Sequence, residues 1–282
     1  MLADCHIHMV LDGVWYKDAI AAHREGPRED LIRARLETYK ALGFSYLRDG
    51  GDRWDVGLTA RSLAGEYGIT YRTPVFPIYK AGHYGSFIGK GFDGWGEYET
   101  LLSQVRDRGG DFVKLMISGL MDFDCCGKLT GDPLEPEEIR QMIDRAHQRG
   151  FSVMVHANGA ATVLAAAQAG VDSVEHGAYL NDEALHAMAQ AGTVWVPTLS
   201  TIGNLRGTGR FREGEVQKIL KSAMDNVARF RNMGGILAPG SDAGAYAVPH
   251  GLGGQSEYRL LKEALGTVDP LEVGIREIQH RF

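Results

Sequence analysis

The chain of 282 residues is long enough for one large α/β domain or two small ones. Hydrophobic residues make up 44% and charged residues 23%, a composition typical of globular enzymes that fold without disulfides. The formal net charge of −6 and the lack of a long basic run argue against a nucleic-acid partner. The sequence contains no apolar run of about 18 residues and no signal-peptide pattern at its start. We therefore expect no membrane partner and a cytoplasmic location.

Three cysteines are too few and too poorly spaced for a disulfide framework. Cys5 lies in the first apolar run, and Cys125 and Cys126 are adjacent. This usage predicts reduced thiols, with a vicinal redox pair at Cys125 and Cys126 as the alternative.

Eight apolar runs of strand length alternate with helical patterns along the whole chain. The predicted strands are 2–8, 45–49, 69–76, 112–117, 152–156, 173–176, 193–197 and 235–241. The predicted helices are 27–42, 55–67, 95–108, 135–149, 160–169, 182–191 and 213–233. A glycine follows each of these helices directly, as expected for a helix C-cap.

Eight β-then-α units predict a (β/α)8 TIM barrel, a fold that typically has about 250 residues. A doubly wound open sheet is the alternative. No Gly-x-Gly-x-x-Gly follows the first strand, so a dinucleotide-binding fold has little support. No linker divides the sequence, and we expect a single domain over residues 1–282.

His6 and His8 end the first predicted strand, where alternation places both side chains on one face. Two imidazoles at this spacing can bind one metal ion from a rigid backbone. Because a lone His-x-His is a weak signal, the interpretation as a metal site depends on whether later strands also carry potential metal ligands.

Lys114 lies inside an apolar strand, where a charged amine is costly unless it is neutralised or paired. One interpretation is a lysine whose amine reaches solvent at the barrel rim. The other is a lysine carboxylated by CO₂, since the resulting carbamate is an anionic ligand able to bridge two cations.

Three more polar residues end predicted strands, so a barrel would bring them to the same C-terminal mouth. His156 and His176 end consecutive strands, and although either alone could be a core histidine, the repetition favours metal ligands. Asp242 follows the last strand. It is either a helix N-cap or a metal ligand that accepts a proton from bound water.

Motifs spread over nearly the whole chain carry a family resemblance. They are DCHIH at 4–8, YLRDGG at 46–51, VKLMISG at 113–119, VHANG at 155–159, GVDSVEHG at 170–177, and GSDAG at 240–244 followed by His250. The set resembles the amidohydrolase superfamily of metal-dependent hydrolases, and within it the imidazolonepropionase-like and Xaa-Pro dipeptidase (prolidase)-like enzymes.

The resemblance implies one or two divalent metal ions per chain, with zinc expected. The implied ligands are His6, His8 and Asp242 for the more buried ion, His156 and His176 for the second, and carboxylated Lys114 as the bridge. Asp242 and His176 are the implied catalytic residues. Side chains expected near the substrate are His83, Tyr84, Asn158 and His250, with a loop histidine as the alternative for His83.

Two features depart from this family. We expect the chain to lack the small accessory β-sandwich that most members carry. In addition, Asn158 stands where some prolidase-like members place a tyrosine for a substrate carboxylate.

The sequence thus predicts hydrolysis of an amide, a cyclic amide or a related C–N bond of a small molecule by a metal-activated water. The alternatives are a lactone or ester hydrolase on the same centre, or a catalytically silent barrel that acts as a metal-binding module. The sequence leaves open whether the chain forms a homo-oligomer.

Overall fold

The computed structural model describes residues 2–282, in which short parallel strands alternate with helices. The strands are β1 Leu2–Ile7, β2 Phe44–Asp49, β3 Thr70–Arg72, β4 Pro77–Lys80, β5 Lys90–Phe92, β6 Val113–Met116, β7 Val153–Ala157, β8 Ser173–His176, β9 Val194–Val196 and β10 Ile236–Leu237. The helices are α1 Tyr16–Ala22, α2 Glu29–Ala41, α3 Val56–Ala64, α4 Trp95–Asp107, α5 Pro136–Gln148, α6 Ala160–Gln168, α7 Asp182–Ala191, α8 Ser200–Gly203, α9 Glu213–Asn232, α10 Leu252–Leu265 and α11 Leu271–Arg281. None of these helices is long and apolar enough to cross a bilayer.

The strands form two parallel sheets, which confirms the predicted α/β class. One has the order β1-β2-β3, and the other has the order β10-β9-β8-β7-β6-β4-β5. Backbone hydrogen bonds join β1 to the segment after β10, since Cys5 N donates to Pro239 O at 2.9 Å and Asp242 N donates to His6 O at 2.7 Å. The start of the chain therefore lies beside its last strand. Closure into one eight-stranded barrel stays a prediction.

The strand predicted over 69–76 is shorter in the structure, because β3 ends at Arg72. Pro74 has no amide hydrogen to donate to a ladder, and Val75 has a left-handed φ of 71°. After this turn the chain forms β4 and β5, which were not predicted. Their three or four residues are too few to produce a clear apolar run.

The helices follow the pattern that their sequences predict. In α5, four buried residues recur every three or four positions and face the sheet: Ile139, Met142, Ile143 and Ala146. Pro136 occupies the first turn, where its missing amide hydrogen costs nothing. The polar cap of α7 is complete at both ends, with Asn181 accepting from Ala184 N and left-handed Gly192 at the C-cap. Helices α1, α8, α10 and α11 add to the predicted set.

Glu257 of α10 is fully buried and connects this helix to the segment after β10. Its Oε2 accepts a hydrogen bond from Ser200 N at 2.7 Å, and Ser200 Oγ lies 2.8 Å from Ser241 O. Its Oε1 has no hydrogen-bond partner among the described residues. Burial, with a smaller contribution from the Asp4 carboxylate, raises the pKa of Glu257 from 4.5 to about 8.

We expect Glu257→Gln to become more stable relative to the parent protein as the pH rises from 5 to 8. In this window the folded parent retains a proton on Glu257 that the unfolded chain releases, so its unfolding free energy falls by up to about 1.4 kcal/mol per pH unit. The glutamine variant lacks this contribution. Urea unfolding of both proteins at pH 5, 6, 7 and 8 measures the difference, and parallel pH profiles would show that Glu257 does not titrate in this range.

Candidate metal centre

His6, His8 and Asp242 converge where β1 lies beside the segment that follows β10. The Oδ1 atom of Asp242 lies 3.5 Å from Nε2 of His6 and 3.5 Å from Nε2 of His8. One potential ligand atom from each residue falls within 4.8 Å of the other two. All three side chains are therefore aimed at one point.

The geometry of this cluster fits a divalent metal ion. Separations of 3.5 Å are long for a hydrogen bond. Two ligand atoms that bind one tetrahedral ion at about 2.1 Å stand about 3.4 Å apart. His6 Nε2 and Asp242 Oδ1 are also buried without a hydrogen-bond partner among the described residues, which is costly unless another group satisfies them. A cation at their centre would satisfy both atoms.

A buried ion pair behind His6 sets the orientation of its ring. Glu175 Oε2 lies 2.7 Å from His6 Nδ1, and Glu175 Oε1 accepts a hydrogen bond from Arg48 Nη2 at 2.8 Å. Because Nδ1–H donates to this carboxylate, the lone pair of Nε2 faces Asp242, as in metal sites where a carboxylate orients the ligating histidine. Sequence reasoning missed both residues. The available signal was a charged residue inside an apolar strand, the same signal that singled out Lys114.

Lys114 of β6 is 1% exposed, so its amine does not reach solvent. Its Nζ has no hydrogen-bond partner among the described residues. Burial lowers the pKa of Lys114 to about 8, with the Glu175 carboxylate opposing the shift. The neutral amine, which is the form that attacks CO₂, is therefore more accessible at neutral pH than it is in an exposed lysine.

His156 and His176 lie on the opposite side of Lys114's strand from β4, in neighbouring strands β7 and β8. Their ring centroids are 4.5 Å apart, and the ring of His176 is 5.1 Å from that of His6. His156 Nε2 lies 3.1 Å from Gly119 O, and His176 Nδ1 lies 2.8 Å from Thr198 Oγ1. Each ring keeps its second nitrogen free for another ligand. Burial lowers the pKa of His156 to about 3, so its ring is neutral, as metal binding requires.

Burial raises the pKa of Asp242 to about 7, while the nearby Lys114 ammonium opposes the shift. The backbone of Asp242 is left-handed, with φ at 58°. Asp4 stabilises this turn from below, because Ser241 N donates to Asp4 Oδ1 at 2.7 Å.

These polar residues form the floor of a cavity of about 530 Å³. The floor consists of His8, Lys114, His156, His176 and Asp242. Most of the walls are apolar or aromatic: Leu11, Val14, Trp15, Tyr16, Tyr84, Phe87, Met116, Leu120, Met121, Phe123, Leu205, Phe211, Ala245 and Tyr246. A cavity of this size that combines an apolar wall with convergent polar groups is typical of a small-molecule site.

Two of the four predicted substrate-binding residues line this cavity. The ring of Tyr84 lies 4.9 Å from that of His156. Asn158 also faces the cavity, but its amide joins two loops: Nδ2 donates to Gly119 O and Oδ1 accepts from Ala178 N, both at 3.0 Å.

The other two predicted substrate-binding residues do not line the cavity. His83 Nδ1 lies 3.3 Å from Asp132 O in a surface loop. His250 is buried, with Nε2 at 2.8 Å from Leu11 O and Nδ1 at 3.3 Å from the Tyr39 hydroxyl. In this structure both rings therefore hold loops together, and their predicted contact with substrate stays a prediction.

Comparisons with known proteins find relatives although no family model matches the chain. Ochratoxinase of Aspergillus niger is 25% identical over 237 residues, which cover 71% of this chain and 47% of that protein. An uncharacterized protein of Mycobacterium tuberculosis is 30% identical over 161 residues, covering 54% of this chain and 41% of that protein. The chain thus spans about half the length of the curated relatives it matches.

Solved structures with the same fold cover almost all of the chain. A Xaa-Pro dipeptidase with bound methionine in its active site superposes with a TM-score of 0.74 at 22% identity, over 99% of this chain and 72% of that one. A. niger ochratoxinase superposes with a TM-score of 0.75 at 20% identity, over 99% and 69%. A bottromycin amidohydrolase superposes with a TM-score of 0.63 at 16% identity, over 99% of this chain and 67% of that one. Together with the ochratoxinase relative, these structures confirm the resemblance to the amidohydrolase superfamily that the sequence motifs implied.

Proposed function

From this superfamily assignment, we propose that the protein is a metal-dependent hydrolase that cleaves an amide, a cyclic amide or a related C–N bond of a small molecule. One observation carries the proposal: His6, His8 and Asp242 bring ligand atoms to within 4.8 Å of one another, and the buried Asp242 Oδ1 and Lys114 Nζ on the floor of the cavity have no hydrogen-bond partner among the described residues. The similarity to proteins named as prolidases and amidohydrolases supports amide hydrolysis as the reaction.

The proposal includes a single barrel domain. Its closure on one side rests on the hydrogen bonds from Cys5 to Pro239 and from Asp242 to His6, and on a parallel bridge between Ile7 and Ala243. This contact brings the first strand, with its two histidines, next to Asp242.

In the proposed site, His6, His8 and Asp242 would hold one divalent ion, with zinc expected. Carboxylated Lys114 would bridge to a second ion held by His156 and His176. Such an ion, when bound, would lower the pKa of a water molecule towards about 7 and would polarise the scissile carbonyl.

In the proposed reaction the protein's own side chains carry out the proton transfers. Asp242 accepts a proton from the attacking water and transfers it to the leaving nitrogen as the C–N bond breaks. Glu175 is a positioning residue, since it holds His6 in the tautomer that presents Nε2. His176 faces the same floor and is the alternative proton acceptor.

A substrate screen with the metal-replete protein tests this function. N-acyl amino acids, cyclic amides and lactones would be offered, and we expect turnover of amides that a chelator abolishes and added zinc restores. Turnover of lactones alone would favour the lactone and ester alternative. Full metal occupancy without turnover of any compound would favour a metal-binding module.

Replacing Lys114 by alanine should lower the metal content from nearly two equivalents per chain to about one. The variant loses the bridging carbamate but keeps the separate His6, His8 and Asp242 ligands. Elemental analysis of metal-replete protein measures the stoichiometry. Lys90→Ala is the matched control, because Lys90 pairs with Gln104 away from the cavity. Two equivalents retained in Lys114→Ala would show that Lys114 is not a bridge.

A further inference from the structure

The outer part of the cavity holds a cation that the proposed reaction does not use. Arg210 lines the cavity beside Trp15, Phe211 and Tyr246. Its guanidinium carbon lies 4.0 Å from the ring centroid of Tyr246, 5.5 Å from that of Phe211 and 6.0 Å from that of Trp15. Three aromatic rings thus surround one guanidinium, a contact that favours the cation and limits its motion.

The guanidinium of Arg210 makes no hydrogen bond or ion pair with any other residue in 2–282. The one carboxylate that lines the outer cavity, Asp122, already lies 3.6 Å from Lys128 Nζ and accepts a hydrogen bond from Asp124 N. Arg206 differs from Arg210, because its Nε donates to Gly203 O. The planar donor face of Arg210 is therefore left for a group that enters the cavity.

Arg210 lines the solvent-exposed end of the cavity, and the candidate metal centre lines its buried end. Arg210 is exposed at the rim, whereas Lys114 on the floor is 1% exposed. Apolar side chains such as Met116 and Leu205 line the same cavity. A molecule that reaches both ends must place an apolar segment between its scissile bond and its anionic group.

We propose that Arg210 binds a carboxylate at the far end of the substrate, so that the preferred substrates are amides with an apolar body that separates the scissile bond from a terminal carboxylate. This inference rests on the proposed function for the identity of the scissile bond. An arginine is suited to the task because its fork of donors matches both oxygens of a carboxylate. The carboxylate is remote from the leaving nitrogen, unlike the α-carboxylate of a dipeptide.

Anilides of straight-chain dicarboxylic acids test this proposal, each compared with a twin in which the terminal carboxylate is a carboxamide. Chains of four to ten carbons would be offered to metal-replete protein. We expect no preference between the twins for the shortest chain. For longer chains the carboxylate should be favoured by about tenfold in kcat/KM, the scale of one charge-assisted pair.

Two variants assign the preference to Arg210. In Arg210→Gln the ratio of kcat/KM for the carboxylate to kcat/KM for its carboxamide twin should fall towards one at every chain length. Arg206→Gln removes the same charge from the same segment and should keep the ratio of the parent. Turnover of both twins at equal rates, or a ratio that survives in Arg210→Gln, would overturn the proposal while leaving the proposed function intact.

Direct binding separates failure of this inference from failure of the proposed function. If no anilide is hydrolysed, calorimetry with 8-anilino-8-oxooctanoate and its carboxamide twin still compares the parent with Arg210→Gln. Binding of the carboxylate about tenfold more tightly, lost in Arg210→Gln, would support the Arg210 site although the hydrolase proposal fails. Equal binding of the two twins by the parent would overturn the site as well.

Discussion

Asp242→Asn is expected to lower kcat/KM for any amide substrate by about 10²–10⁴, the usual scale for loss of a general acid–base group. The amide side chain still offers an oxygen towards His6 and His8, but it cannot accept the proton of the attacking water. The change is nearly isosteric. In the metal-free protein burial has raised the pKa of this carboxyl to about 7, so the charge that the substitution removes is one that burial already disfavours.

Measurements on Asp242→Asn should therefore separate rate from folding. The melting temperature of the metal-free variant should stay within a few degrees of the parent, which corresponds to a stability change of about 1 kcal/mol or less. Asp144→Asn is the matched control, since Asp144 lies half-buried on α5, away from the cavity, and pairs with Arg140. A variant at position 242 that retains rates within a few-fold of the parent would move the proton-accepting role to His176.

Glu175→Ala is expected to destabilise the metal-free protein by about 3–5 kcal/mol, because it leaves the buried guanidinium of Arg48 without its carboxylate. Both side chains are fully buried. Arg48 would keep its hydrogen bonds to Cys5 O and Ser173 Oγ and its stacking on Phe282 at 4.4 Å, but none of these carries a negative charge. The same substitution frees His6 Nδ1, and loss of such an orienting carboxylate typically costs about 10–100-fold in metal affinity.

Two readouts distinguish these effects of Glu175. Urea unfolding of metal-free protein measures the stability loss, and zinc competition against a chelator of known affinity measures the metal dissociation constant. Glu175→Gln keeps the shape and one acceptor, so it should lose less stability than the alanine variant. Glu137→Ala on the exposed face of α5 is the control. Unchanged zinc affinity in both variants at position 175 would show that His6 does not depend on this carboxylate.

The sequence was most informative where a pattern has one physical cause. A glycine after a helical run indicates its C-cap, and α7 ends at left-handed Gly192 as predicted. A histidine that ends an apolar run predicts a polar side chain at a strand end, and His156 and His176 do lie near the ends of β7 and β8. Positions of this kind could be predicted because local backbone and burial decide them.

Other features depend on contacts between distant segments, so no single segment shows what role its residues take. The role of Glu175 requires Arg48 from β2 and His6 from β1, which come together only in the folded chain. His250 stands in a motif that resembles a substrate-binding position, yet its ring packs against Tyr39 of α2. Strand order and side-chain direction decide these outcomes, and neither can be read from one segment.

The hydrogen bond from Asp242 N to His6 O joins two segments that are far apart in the sequence, and this has a consequence during synthesis. Asp242 follows His8 by 234 residues. At about 5–20 residues per second, a ribosome adds this stretch in roughly 10–50 s. Throughout that interval the first strand emerges with two histidines but without the carboxylate that completes their cluster. Nascent chains should therefore acquire tightly held metal only after translation has passed Asp242, because β1 supplies two of the three ligands and Asp242 supplies the third.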